Sequence, residues 1–273
     1  MTPTIKPVAL ITGASSGMGK DFALRLLAEG YEVYGAARRT DLMAAIQSAG
    51  GVALAMDVTA DASLVAAVDQ IIRERGRIDV LINSAGYGQM GAVEDVTMED
   101  ARRQMDVNLF GLARLTQLVL PHMRARRSGK IINISSIGGR FATPLAGWYH
   151  ASKFALEGYS DALRMEVAPF GIDVVVVQPG GTDSEWIPIA IEQLQRVSAH
   201  GAYRGLVDGI VESPTWKRKM PSPAIVTDLV VKALKTRRPR TRYVAGFMAK
   251  LAVHLRHLLS DRLFDRLMMA SIK

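Results

Sequence analysis

Tyr149 and Lys153 stand four residues apart in the stretch WYHASKFALEGY, and a pair of serines at 135–136 lies upstream. On a helix, residues at i and i+4 lie one turn apart on the same face. A phenol has a reference pKa of about 10, and a neighbouring ammonium favours its charged form. The spacing therefore predicts a general acid/base in which Lys153 lowers the pKa of Tyr149.

The stretch TGASSGMG at 12–19 indicates a second kind of chemistry. It follows a predicted strand and opens a predicted helix, so backbone N–H groups and the helix N-terminus converge on one point. This point suits the pyrophosphate of a dinucleotide, whereas the alternative is a tight turn without a ligand. The loop residues predicted to contact the cofactor are Gly13, Ser15, Ser16, Gly17, Met18 and Gly19.

The end of the second predicted strand indicates which dinucleotide binds. Arg38 and Arg39 follow Ala37 there, and no acidic residue is present to bond the ribose hydroxyls of NAD. Because arginine offers a 2'-phosphate a forked, charge-assisted contact, we predict NADP(H), with NAD(H) as the alternative. In a second interpretation, both arginines are solvated charges at a helix start. Asp57, at the end of the third strand, is predicted to accept the adenine amino group or to cap a turn.

Short runs rich in valine, isoleucine and alanine alternate with longer amphipathic stretches, which is typical of βαβ units in a parallel sheet. The predicted strands cover 7–12, 31–37, 52–57, 79–85, 130–136, 173–179 and 242–245. The predicted helices cover 17–29, 40–49, 61–75, 99–127, 148–170 and 223–236. The sequence therefore predicts one α/β domain over 1–273, with a Rossmann-like, doubly wound, seven-stranded parallel sheet flanked by helices on both faces.

The segment 185–221 contains three prolines and lacks a clean period, so we predict an irregular helical insertion. Insertions at the carboxyl end of such a sheet commonly bind substrates. Apolar side chains favour a bulky apolar ketone or alcohol. The predicted wall consists of Trp186, Ile187, Ile189, Leu194, Tyr203 and Leu206.

The positive charge is concentrated at the end of the chain. Residues 232–273 contain 11 Lys/Arg and two acids, a net charge of +9, whereas the other 231 residues contain 23 basic and 24 acidic ones, or -1. The segment 243–273 is therefore predicted to be a basic, amphipathic extension. It is either a helix packed beside the pocket or at a subunit contact, or a helix on a membrane surface.

The composition excludes several classes of protein. The 273 residues include no cysteine, which excludes disulfides and thiolate metal sites, and His254 and His257 have no companion ligands nearby in sequence. We therefore expect no metal, and the absence of a recognition motif argues against nucleic acid. No signal peptide and no charge-free apolar run of spanning length is recognised, so the expected location is the cytoplasm.

Together these residues resemble the short-chain dehydrogenase/reductase superfamily over at least residues 7–184. The family's TGxxxGxG motif matches 12–19, its Asn-Ala-Gly motif matches 83–86, and its YxxxK motif matches 149–153. Its serine, 13 positions before the tyrosine, matches Ser136, and its Pro-Gly pair matches 179–180. The branch that it most resembles contains 17β-hydroxysteroid and retinol dehydrogenase-like proteins. The resemblance implies an NADP(H)-dependent carbonyl reductase or alcohol dehydrogenase, and the alternative is a dinucleotide-sensing protein without turnover.

The resemblance also implies roles for individual residues. Tyr149 exchanges a proton with the substrate oxygen, Lys153 also binds the nicotinamide ribose, Ser136 polarises the carbonyl, and Asn108 holds a water that links Lys153 to solvent. Further implied cofactor contacts are Val58, Asn83, Ala85, Gly86, Val107, Pro179, Gly180, Thr182 and Ser184. The wall opposite the insertion is implied to comprise 138–141, Leu145 and Trp148. Because the family pairs subunits through its long helices, the resemblance implies a homodimer or homotetramer.

Overall fold

The computed structural model describes residues 6–183, 186–213, 220–270 and 272. Its strands are β1 Val8–Thr12, β2 Glu32–Ala37, β3 Val52–Ala55, β4 Val80–Asn83, β5 Gly129–Ile134, β6 Ile172–Pro179 and β7 Arg242–Ala245. They form one parallel sheet in the order β3-β2-β1-β4-β5-β6-β7. The predicted doubly wound, seven-stranded α/β fold is confirmed.

Helices occupy most of the connections between the strands. They are α1 Gly17–Ala28, α2 Ala44–Ser48, α3 Asp61–Arg75, α4 Met98–Met105, α5 Gly111–Ala125, α6 Gly147–Val167, α7 Trp186–Ser198, α8 Arg204–Glu212, α9 Ala224–Lys235, α10 Ala249–Leu258 and α11 Asp261–Ala270. None of the helices that the described residues form is both long enough and apolar enough to span a bilayer.

Each face of the sheet is covered by its own group of helices. Because successive strand residues point to opposite faces, Ala9 and Ile11 pack with α1 and α9, while Val8 and Leu10 pack with α3, α5 and α6. The strands are therefore buried on both sides, which explains their nearly continuous apolar sequences.

The order of the strands reverses at the centre of the sheet, where β1 lies between β2 and β4. The hydroxyl of Thr12 accepts hydrogen bonds from the N–H groups of Ser84 and Ala85, at 3.0 and 2.9 Å, and so links the carboxyl ends of β1 and β4. In sheets of this kind, ligands bind in the crevice beside this reversal.

Three segments differ from the predicted elements. The helix predicted over 99–127 is α4 and α5 joined by a π-helical turn, Asp106–Phe110. The insertion is more regular than predicted, because α7 and α8 pack together around an apolar cluster that includes Leu194 and Val207. The tail contains β7 and two helices rather than one continuous stripe, since Leu259 adopts an extended conformation between α10 and α11.

Candidate active site

Ser136 follows β5 and begins a short 3-10 turn, Ile137–Gly139. Its hydroxyl oxygen accepts the N–H of Gly138 at 3.0 Å and lies 3.4 Å from the carbonyl oxygen of Pro179. The same hydroxyl lies close enough to the phenol of Tyr149, in the first turn of α6, to influence its pKa. The end of β5 and the start of α6 thus bring together two hydroxyls that are predicted to contact one substrate oxygen.

Lys153 lies one turn beyond Tyr149 on α6, and its ammonium nitrogen Nζ is 5.9 Å from the centre of the tyrosine ring. Nζ donates to the carbonyl oxygen of Ile134 at 2.9 Å. Burial raises the pKa of Tyr149 to about 12, although the nearby hydroxyl of Ser136 acts in the opposite direction. The prediction that the pKa of Tyr149 is lowered is therefore wrong, because desolvation dominates.

Burial also changes the acidity of Lys153. It lowers the pKa of this ammonium to about 8, and the nearby carboxylate of Glu157 partly opposes the effect. Glu157 lies one turn beyond Lys153 on the same buried stripe of α6. Its two carboxylate oxygens accept hydrogen bonds from Gln178 on β6 and Arg242 on β7, each at 2.9 Å. The sequence analysis missed Glu157, although its i+4 spacing from Lys153 was a usable signal.

Asn108 lies in the π-helical turn between α4 and α5, and such turns are frequent at functional sites. Its amide nitrogen donates to the carbonyl of Tyr87 and to the hydroxyl of Ser152, both at 3.0 Å, while its oxygen accepts the N–H of Tyr87 at 3.1 Å. A β-carbon at Gly86 would lie 3.1 Å from this oxygen and 3.7 Å from Lys153 Nζ. Gly86 therefore separates Asn108 from Lys153, and the space between them admits little more than glycine.

His150 is a second buried residue that the sequence analysis missed. The N–H of Thr143 donates to its Nε2 at 3.0 Å, and its Nδ1 lies 2.8 Å from the carbonyl oxygen of Gly138. Because Nε2 accepts, Nδ1 carries the proton and donates to Gly138, and burial lowers the pKa of this histidine. His150 thereby holds the loop that follows Ser136.

A cleft of about 530 Å³ opens at the carboxyl ends of β1, β2 and β4. In its glycine loop, a β-carbon at Gly19 would lie only 2.3 Å from the carbonyl oxygen of Gly13. The loop can therefore approach the start of α1 this closely only because residue 19 is a glycine. A β-carbon at Gly17 would meet no atom within 4 Å, which leaves open space before the start of α1. A pyrophosphate fits this cradle. The predicted cofactor contacts that line the cleft are Gly13, Ser15, Ser16, Gly17, Met18, Gly19, Arg38, Arg39, Asp57, Val58, Ala85, Gly86 and Val107.

The adenosine end of the cleft is rich in arginine. Arg38 and Arg39 are exposed there, and Arg103 from α4, which the sequence analysis did not select, joins them. Asp57 accepts the N–H and the hydroxyl of Thr59, at 2.9 and 2.8 Å, which agrees with the turn-capping interpretation. The N–H of Thr59 lowers the pKa of Asp57, and Arg38 and Arg103 add to this effect.

Several predicted contacts lie away from the cleft. Asn83 does not line the cleft, and its side chain donates to Asn133 Oδ1 at 2.9 Å inside the sheet, where β4 and β5 pair. Three predicted contacts around the end of β6, Pro179, Gly180 and Thr182, do not line the cleft either, and neither do Tyr149 and Lys153. The predicted contact Ser184 is outside the described residues.

Helix α7 covers the catalytic side of the cleft. The indole of Trp186 lies against Tyr149, with ring centres 5.4 Å apart, and a β-carbon at Gly88 would come within 2.6 Å of it. Trp186 and Ile189 line the cleft, whereas Leu194 is buried in the cluster between α7 and α8. The indole of Trp186 therefore covers one side of Tyr149.

A family model described as short chain dehydrogenase matches residues 7–191. The chain belongs to the short-chain dehydrogenase family. The chain is 35% identical over 260 residues to a probable short-chain type dehydrogenase/reductase, VdlC, from Helicobacter pylori, covering 95% of this chain and 96% of the relative. It is also 52% identical over 174 residues to a 3-ketodihydrosphingosine reductase from Bacteroides thetaiotaomicron, and this match spans 63% of each chain.

Solved structures of short-chain dehydrogenases share the fold. One from Streptomyces avermitilis has a TM-score of 0.81 and 34% identity, covering 93% of this chain and 94% of its own. A metagenomic short-chain oxidoreductase in complex with NADP has a TM-score of 0.69 and 26% identity, covering 88% and 96%. A 3-ketoacyl-(acyl-carrier-protein) reductase from Brucella melitensis, complexed with NADH, has a TM-score of 0.73 and 26% identity, covering 89% and 96%. The protein is therefore an oxidoreductase of this family, and the cofactor class is a nicotinamide dinucleotide.

This short-chain dehydrogenase continues beyond the part that the family model matches, which ends within α7. Helices α10 and α11 lie beside the loop after Ser136. Phe264 of α11 packs edge-on against Phe141, with ring centres 5.5 Å apart, and Arg140 donates to His257 of α10 at 2.8 Å. One face of the tail therefore packs against the loop after Ser136, which is compatible with the interpretation of the tail as a helix packed beside the pocket.

Proposed function

We propose that the protein is an NADP(H)-dependent reductase or dehydrogenase that interconverts a ketone or aldehyde with an alcohol. The observation that carries the proposal is the grouping of Ser136, Tyr149 and Lys153 at the end of β5 and the start of α6, beside Trp186, which lines the cleft and lies against Tyr149. Two hydroxyls that lie close together in this way can both hydrogen-bond to one carbonyl oxygen of a substrate.

In the reductive direction, Tyr149 donates its proton to the substrate oxygen. Its raised pKa keeps the phenol protonated until the oxygen becomes basic. Ser136 donates a hydrogen bond to the same oxygen as negative charge develops on it. When bound, the dinucleotide supplies the hydride to the carbonyl carbon, or takes it back in the reverse direction. Lys153 binds the nicotinamide ribose, and Asn108 positions a water beside it.

The preference for NADP(H) is supported by the charges at the adenosine end of the cleft. Arg38, Arg39 and Arg103 line it, against the single carboxylate of Asp57, which is turned toward Thr59. Guanidinium groups suit a 2'-phosphate, whereas a carboxylate at the end of β2 would repel it.

A bulky apolar substrate of the steroid, retinoid or lipid type is supported by the indole of Trp186 and the aliphatic Ile189 at the cleft. The name of the Bacteroides relative also gives a ketone of the sphingosine type as its substrate. An apolar wall gains affinity from each buried methylene of such a compound.

A panel of ketones graded by size, followed by NADPH and NADH consumption, tests this function. We expect bulky apolar ketones to be reduced with NADPH. The variant Arg38→Asp should lower the preference for NADPH over NADH by about tenfold to a hundredfold, because a charged hydrogen bond becomes a repulsion. Arg73→Asp, on the exposed side of α3, is the matched control. An unchanged preference in Arg38→Asp would refute the cofactor assignment.

A homodimer or homotetramer is supported by exposed apolar side chains on the two long helical segments. Phe110 lies in the π turn before α5, and Phe154 and Met165 lie on α6. Their exposure suits a contact between subunits. Light scattering of the purified protein will give the mass, and a monomer would exclude this assembly.

A further inference from the structure

We propose that α10 and α11, here called the C-terminal helix pair, bind the surface of a membrane that contains anionic lipids. This inference goes beyond the proposed oxidoreductase function and does not depend on it.

The C-terminal helix pair exposes leucines in regular stripes. On α10, Leu251 and Leu258 are 49% and 79% exposed, and on α11, Leu263 and Leu267 are 49% and 40% exposed. Spacings of seven and four residues place the members of each pair on one side of their helix. Each helix therefore presents an apolar stripe that the described residues leave largely uncovered.

Basic side chains border these stripes. With a turn of about 100° per residue, Arg262 and Arg266 form the stripe next to Leu263 and Leu267, and Lys250 precedes Leu251 on α10. Within the described part of the chain, no ion pair is found for these three cations. Leucines flanked by free cations are typical of helices that lie in the membrane interface.

The acidic residues of α11 lie on a different side. Asp261 and Asp265 are two residues from Leu263 in either direction, which places them on the far side of the helix from it. Asp261 is also neutralised by Arg256, at 2.6 Å. The leucine side of α11 therefore carries positive charge without an adjacent carboxylate.

The inner packing of the pair is already provided by other residues. Phe264 packs against Phe141, and Ala249 is buried at the start of α10, so the stripes are not needed to hold the helices in place. A second copy of the chain would bring like charges together across a two-fold contact, because both partners would present the same basic surface. Anionic lipid headgroups instead complement the charge of the pair, where residues 249–270 contain four Lys/Arg and two acids.

Vesicle co-sedimentation of the full chain tests the proposal. We expect binding to vesicles of phosphatidylcholine with phosphatidylglycerol, weak binding to phosphatidylcholine alone, and a loss of binding at high salt. Arg262→Gln with Arg266→Gln should weaken binding by about twenty-five-fold, since each basic residue near the surface contributes about fivefold. Leu258→Asn with Leu263→Asn should weaken it by more than about tenfold, because buried methylenes are lost.

The control is Arg73→Gln with Arg102→Gln, which removes the same charge from exposed positions on α3 and α4 and should leave vesicle binding within about twofold. Circular dichroism of each variant checks the fold, and the measurement requires no turnover. No binding to the anionic vesicles, or equal weakening by the control, would overturn the proposal. A further outcome is that the wild type does not bind vesicles and that only the leucine variant changes the mass in light scattering. In that case the stripes contact a second copy of the chain, and the proposal is wrong.

Discussion

The sheet side of the candidate cleft and its helical cover are built on different principles. On the sheet side, Thr12 ends β1, Arg38 follows β2, and Ser136 comes two residues after β5. Their positions follow from strand register, because parallel strands end at one edge. On the cover side, Trp186 and Ile189 come from α7, which rests on the apolar cluster around Leu194 rather than on a strand.

Because of this difference, we expect the sheet side to determine the rate of the reaction and the cover to determine which substrates are accepted. The residues that are proposed to transfer a proton belong to β5 and α6, which are anchored in the main core through Ile132, Ile134 and Leu163. The cover has its own small cluster, which Tyr149 contacts at its edge, so we expect changes on α7 to affect the first turn of α6 more than the sheet. Four substitutions test how sharp this separation is.

The largest effect is expected on the sheet side, from Tyr149→Phe. It removes the only proton that the proposed mechanism gives to the substrate oxygen, so kcat should fall by about 10²- to 10⁴-fold. The dissociation constant for NADPH, measured by fluorescence titration, should stay within about threefold. Turnover near the wild-type rate would show that another group supplies the proton.

The two adjacent serines after β5 offer a matched pair. Ser136→Ala removes a hydroxyl that contacts Tyr149, and kcat should fall by about 10²- to 10³-fold, as for other oxyanion donors. The hydroxyl of Ser135 is buried without a hydrogen-bond partner in the described structure, so Ser135→Ala should keep nearly full activity. Steady-state kinetics of both variants decide the assignment, and equal losses would contradict it.

On the cover side, Trp186→Ala should alter selectivity more than catalysis. Removing the indole that lies against Tyr149 opens space, so kcat/KM for large ketones relative to small ones should rise by about tenfold. Ile189→Ala, one turn away on the same helix and 55% exposed, is the control and should change this ratio much less. If both variants change this ratio equally, Trp186 does not determine selectivity more than Ile189 does.

The smallest effect is expected from Glu157→Gln. The pKa of Lys153 is about 8, so activity that needs its ammonium is present below this pH and lost above it. Because Glu157 raises this pKa, its neutralisation should move the alkaline limb of kcat/KM to lower pH and reduce the rate at pH 7 by about two- to tenfold.

Asp161→Asn is the control for this experiment, since Asp161 also pairs with Arg242, at 2.7 Å, but does not act on Lys153. A pH profile that moves equally in both variants would assign the effect to the ion-pair network rather than to Lys153.

The sequence predicted most of the sheet side because periodicity and glycine spacing report directly on strands and the turns between them. All seven strands and the loop at 12–19 lie where they were predicted. The direction of the Asn83 side chain could not be predicted, because the motif does not show that this residue pairs with Asn133 on the neighbouring strand.

Other features depend on contacts between distant parts of the chain. The raised pKa of Tyr149 results from burial, which spacing on one helix does not report. His150 gains its role from Gly138 and Thr143, and Glu157 gains its role from β6 and β7. The cover was the least predictable part, since its apolar residues serve both the pocket and its own packing.

The hydroxyl of Thr12 holds the N–H groups of Ser84 and Ala85, so the gap between β1 and β4 cannot widen without breaking two hydrogen bonds. The floor of the cleft is thus fixed in width. On the other side, Trp186 of α7 lies against Tyr149. Because the floor cannot give way, we expect substitutions in α7 that never touch the reacting atoms to change the rate of product release and with it the turnover number.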